Sequence, residues 1–102
     1  MRSIHTQDTA LRDIREAATW YRLQAGKPVS MGFTRALEKA LTLLAEQPDM
    51  GSLRFAEEAE IPGLRVWNLR SWSHSILYRN DPECLTILRV LHTSRDLGVL
   101  LK

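Results

Sequence analysis

The segment LTILRVLHTSRD, residues 85–96, decides how this chain is read. Leu85, Ile87, Leu88, Val90 and Leu91 form a run that is apolar on both faces and rich in bulky and β-branched side chains. Such a run predicts a strand in the middle of a sheet, because only an inner strand buries both of its faces. Arg89, His92 and Arg95 sit within or just after the run. Thr93 and Ser94 can then cap a short final helix over residues 96–101. One segment therefore supplies a central strand, a basic and imidazole cluster, and a terminal element able to move.

Working back from it, the four residues NDPE at 80–83 read as a hairpin turn, and the preceding SILYRN at 75–80 as the partner strand. Residues 71–73 bend the chain. LRVWNLR at 64–70 is a further strand, with alternation placing Arg65, Trp67 and Leu69 on one face. By the same alternation Arg79 shares a face with Leu77, and Arg89 with Ile87 and Leu91. Residues 52–63 are irregular and carry Glu57, Glu58 and Glu60, which read as a solvated loop. The turn PDMG at 48–51 separates that loop from the first half of the chain.

In the first half the periodicity is helical. Ala10, Ile14, Ala17 and Tyr21 recur at helix spacing, with Asp8 or Thr9 as cap and Gly26 as the stop. Arg12, Asp13, Arg15 and Glu16 occupy the rest of that helix and are expected to face solvent. Pro28 or Ser30 opens a second helix. Phe33, Leu37, Ala40, Leu41 and Leu44 mark its buried face, and Pro48 ends it. Residues 2–6, centred on Ile4, can form an edge strand. The expected fold is α+β: an N-terminal strand, an antiparallel helical hairpin packed on a small, mostly antiparallel sheet (β-α-α-β-β-β), and a short C-terminal helix. The 102 residues, 44% of them hydrophobic, suit a single domain spanning 1–102.

Charge is unevenly spread. Residues 1–63 carry 8 basic and 9 acidic side chains, whereas residues 64–102 carry 6 basic and 3 acidic, a net +3. A basic final third points to a polyanion or an acidic partner peptide, the alternative being a solvated basic surface. Cys84 is the only cysteine, so no internal disulfide forms and a reducing compartment is expected. No apolar run approaches the roughly 20 residues of a membrane span, and MRSIHTQD has no signal-peptide core. The expected location is the cytoplasm.

Chemistry-bearing motifs are few. No catalytic carboxylate pair is visible, no Gly-rich phosphate loop exists, and His5, His74, His92 and Cys84 lack metal-ligand spacing. Neither a cofactor nor a metal is expected. The basic set remains: Arg54, Arg65, Arg70, Arg79, Arg89, His92 and Arg95. An arginine among apolar neighbours on an inner strand needs an anion. That anion is either internal, with Glu46, Asp49, Glu60, Asp96 and the terminal carboxylate as options, or belongs to a phosphate or a carboxylate-bearing peptide. His92 is either a hydrogen-bonded structural residue or a proton-transfer group beside Arg89 and Arg95. Trp20, Trp67 and Trp72 read as core and rim.

The pieces TALRDIREAATWY, FTRALEKALTLLAEQPDMGS, IPGLRVW, SILYRN and ILRVLHTSRDLGVLL, taken in order, resemble the ParE/RelE toxin superfamily of bacterial toxin–antitoxin modules, and its ParE-like branch in particular. The resemblance covers nearly the whole chain. It implies a type II toxin neutralised by a ParD-like antitoxin whose C-terminal segment wraps it in a hetero-oligomer. The ParE branch poisons DNA gyrase and is not enzymatic. The RelE branch cleaves mRNA on the ribosome, and there Arg65, Arg89, His92 and Arg95 are the residues onto which its catalytic groups carry over. The tail LGVLLK has no tyrosine or histidine, which favours the gyrase branch. A decayed toxin that keeps only antitoxin binding is a third option. The resemblance thus implies partner contacts by Arg65, Trp67, Arg79, Arg89, His92 and Arg95.

Overall fold

The computed structural model describes residues 2–94. The elements run β1 (Ile4–Thr6), α1 (Asp8–Ala25), α2 (Lys27–Glu46), a 3-10 turn (Pro48–Met50), β2 (Leu64–Asn68), β3 (His74–Asn80) and β4 (Leu85–His92). The α+β order is the expected one. The expected helix over 96–101 and Arg95 lie outside the described residues.

A single residue separates the two helices. Gly26, at φ 94°, donates its N–H to Arg22 O to close α1 and stands as N-cap of α2. A side chain is strained at that φ, so glycine is the fitting residue. Pro28 lies in the first turn of α2, where its missing N–H costs nothing. The sequence offers Asp8 or Thr9 as the cap of α1, but neither takes that position. Gln7 holds that position without a side-chain bond, and Asp8 is the first-turn acid facing the positive helix end. The end of α2 returns to the chain start, where Arg2 N–H donates to Ala45 O.

The sheet order is β1-β4-β3-β2, with β1 parallel to β4 and the other pairs antiparallel. β4 is therefore an inner strand, as its apolar composition demands. Its pairing with β3 is interrupted between Leu77 and Tyr78: Tyr78 faces Ile87 and Leu77 faces Arg89, leaving Leu88 as the extra residue. This bulge corrects the alternation argument. Ile87 packs in the main core and Leu91 in a second cluster, so Arg89 does not share one face with both.

The main core lies between the helices and the sheet. Ala17, Tyr21, Phe33, Leu37 and Leu44 meet Ile76, Tyr78, Leu85, Ile87 and Val90 there. Leu41 and the three tryptophans are half-buried against it. Leu64, Val66, Leu77 and Leu91 form a smaller cluster, covered by Phe55, Ala56, Ala59 and Ile61. The segment expected to be a solvated loop thus divides by residue. Glu57, Glu58 and Glu60 face water, while the apolar residues between them fold back onto the sheet.

β1 reaches only as far as Ile87, so the rest of β4 would present an open edge. Helix α1 covers it. Gln7 N–H donates to Ile87 O, Thr9 Oγ1 to Leu88 O, and Val90 N–H to the Asp13 carboxylate. The backbone N–H of the N-cap residue and two side chains of the helix thereby complete the hydrogen bonding of a strand.

Candidate functional site

The strand arginines meet internal acids. Arg89 makes a two-pronged contact with Asp13, Nε to Oδ2 at 2.7 Å and Nη2 to Oδ1 at 3.1 Å. Asp13 was expected to face solvent with its charged neighbours on α1. Instead it is 8% exposed, because Arg89 and the Val90 N–H both converge on its carboxylate. The fork-to-carboxylate geometry is the strongest arrangement open to such a pair.

Arg65 clamps the turn that follows α2. Its Nη1 donates to Asp49 O and Gly51 O at 3.0 and 2.8 Å, and its Nη2 stands 3.3 Å from Asp49 Oδ1. Tyr78 holds the same turn from below. Its hydroxyl donates to Pro48 O and accepts from Gly51 N–H. A Cβ at Gly51 would lie 2.6 Å from that hydroxyl, which explains a glycine at the end of PDMG. Burial pushes the Tyr78 phenol above its ordinary range, opposed by the Gly51 hydrogen bond and the Arg65 charge.

At the far corner Arg79 Nε contacts Asp81 Oδ1 at 2.6 Å, and Thr86 Oγ1 donates to Asp81 Oδ2 at 2.7 Å. The hydrogen bond from Arg79, then that from Thr86, holds the Asp81 carboxyl below the usual range. The Arg2 guanidinium donates to Asp81 O.

His92 belongs to an aromatic group at the opposite end of the sheet. It pairs across the strands with His74, ring centres 5.2 Å apart, and stands edge-on to Trp20 at 5.3 Å. Ser94 Oγ lies 3.3 Å from His92 Nδ1. His74 is buried and shares a hydrogen bond with Tyr21 Oη at 3.0 Å, while Tyr21 Oη also accepts from Ser73 N–H. The two imidazoles are widely separated in sequence, and the strand register brings them together.

The candidate residues among those described do not converge on one point. Arg79 pairs across the sheet with Thr86, six positions and about 20 Å of strand from His92. Arg65 and Trp67 lie on outer strand β2, whereas Arg89 lies at the β4 edge beneath α1. Asp13, His74 and Tyr78 join the polar framework without having been singled out from sequence. Among the described residues no three His, Cys, Asp or Glu side chains gather as a metal site. Nor is any helix there long and apolar enough to cross a membrane.

This geometry sits inside a family pattern. Residues 4–97 match the model of the ParE toxin of the type II toxin–antitoxin system parDE. The chain belongs to the ParE toxin family. A solved chain from the chromosomal ParDE toxin–antitoxin system of P. aeruginosa is similar in fold, with a TM-score of 0.77 at 20% identity over 92% of this chain and 98% of that one. No curated protein matches the sequence. In this ParE-family toxin the matched span includes Asp13 with Arg89, Asp49 with Arg65, and Asp81 with Arg79.

Proposed function

We propose that this ParE-family toxin acts by binding DNA gyrase, without catalysing a reaction, and is held inactive by a ParD-like antitoxin in a hetero-oligomer. The observation that carries the reading is the family match over residues 4–97. The solved relative comes from a ParDE system, which is consistent with an antitoxin of the ParD kind here. The dispersal of the basic residues adds support. A ribonuclease needs a proton donor and cations around one phosphate, whereas Arg65 and Arg89 engage Asp49 and Asp13 on separate strands.

On this reading Arg79 and Arg89, with side chains 37% and 41% exposed, offer guanidinium edges to partner carboxylates. Trp67 and His92 add apolar contacts, and Arg65 and Arg95 complete the set. The test compares wild type, His92→Gln and a deletion of residues 97–102 in gyrase supercoiling and in mRNA cleavage by translating ribosomes. Wild type is expected to stop supercoiling and leave mRNA intact. The deletion abolishes inhibition and His92→Gln reduces it modestly or not at all. Codon-specific cuts that vanish with His92→Gln would replace gyrase by mRNA as the target.

A further inference from the structure

A groove between α2 and the β2–β3 corner lies apart from the three arginine–aspartate pairs and includes Trp67. Its volume is about 250 Å³, and Ala40 and Leu43 of α2 form one wall. Trp67 and Trp72 form the other, with Lys39 and Arg70 at the lining and no acid among the lining residues. Both cations are exposed and both tryptophans half-buried. The floor is fixed in place. Trp72 stands edge-on to Tyr21 and Phe33 at 5.1 and 5.7 Å, and a Cβ on Gly32 would meet its ring at 3.4 Å. β2, which carries Trp67, is the outer strand of the sheet on this side.

A preformed apolar slot flanked by two cations selects a particular ligand chemistry. Tryptophan faces and small helix residues accept a bulky aliphatic or aromatic side chain. Lys39 and Arg70 reward carboxylates beside it and repel cations. Little ordering is required on binding, because the aromatic floor is already packed. We infer that the α2–β2 groove is a docking site for a short acidic segment of the antitoxin, with a bulky apolar residue entering between the Ala40–Leu43 wall and the two tryptophans and carboxylates meeting Lys39 and Arg70. This rests on the reading that an antitoxin holds this chain.

Two arms test it. In the first, the indole N–H signals of Trp67 and Trp72 are followed by NMR during titration with an acetylated hexapeptide alternating leucine and glutamate, and with its leucine–lysine counterpart. The acidic peptide moves both indoles, the basic one does not, and Lys39→Glu/Arg70→Glu reverses the preference. In the second, the small protein encoded beside the toxin gene is titrated against wild type and the same double variant, with at least a tenfold loss of affinity expected. Both substitutions are at exposed positions, so folding is preserved and checked by circular dichroism. Indoles that stay still, or respond equally to either peptide, overturn the groove, as does equal affinity of the neighbouring protein for both forms. If that protein fails to bind wild type while the acidic peptide still occupies the slot, the groove's acid preference stands and the antitoxin reading falls.

Discussion

At the scale of single residues, the informative feature is where each arginine finds its anion. The sequence shows that arginines set among Ile, Leu and Val need one, and for Arg65 it also supplies Asp49 as an option. It does not reveal Asp13 as the partner of Arg89. By charge Asp13 groups with Arg12, Arg15 and Glu16, yet three residues after Ala10 and four before Ala17 it flanks the buried stripe of α1. What buries it is the shortness of β1, which leaves Val90 N–H facing α1, and a three-residue strand leaves no such mark in the periodicity. Asp13→Ala removes the acceptor of three hydrogen bonds, two of them from a guanidinium. Since Arg89 retains 41% exposure, solvent offsets part of the loss, and the expected cost is about 2–3 kcal/mol. Urea unfolding checks this, together with a cycle against Arg89→Ala. The two substitutions are expected to be strongly non-additive. A midpoint within error of wild type for Asp13→Ala would show that its carboxylate does not hold α1 to β4.

At the scale of elements, periodicity found α1, α2 and strands β2, β3 and β4, whereas β1 rested on Ile4 alone as an apolar centre. Its failures are local and have causes. The strict alternation drawn through β4 breaks at the bulge beside Leu88, which has no turn residue to announce it. The strand read over 64–70 stops at Asn68, because Ser71, at φ 70°, closes the corner two residues after Leu69. The hairpin from β3 to β4 was legible in its Asp-Pro pair, but its fastening was not. Asp81 lies two residues from Arg79 and five from Thr86, and bonds both. This fastening has a pH signature. The folded-state pKa of Asp81 is depressed, so its contribution is fully present above the unfolded aspartate value, roughly 3.9, and is lost as pH falls through the lower folded value. The pair is partly exposed, so Asp81→Asn is expected to cost only about 0.5–1 kcal/mol at neutral pH. It should also flatten the acid limb of the stability curve. An acid limb of unchanged steepness in Asp81→Asn would assign acid sensitivity to other carboxylates.

At the scale of the molecule, the two sheet faces are covered by unlike means. The helices seal one face with fully buried Phe33 and Leu44, whereas half-buried Phe55 and Ile61 of a turn-rich segment cover the other. The helical layer was readable because its apolar positions repeat. The second cover was not, since its apolar residues alternate irregularly with Glu57, Glu58 and Glu60. Few buried contacts and a backbone held by turns mark a segment that opens below the global unfolding free energy. Hydrogen exchange can see this directly. The amides of Leu64 and Val66 donate to Ile61 O and Ser52 O, on the covering segment and just before it, whereas β3 and β4 bond to each other in the centre of the sheet. Under native conditions Leu64 and Val66 are expected to exchange first, by an opening insensitive to low denaturant, while the β3–β4 amides wait for global unfolding. Phe55→Ala should speed the first group and leave the second nearly unchanged, because it removes cover without touching the helical core. If all these amides instead share one protection factor in wild type and shift together in Phe55→Ala, then residues 53–61 unfold with the core. The second sheet face would then be as firmly sealed as the first.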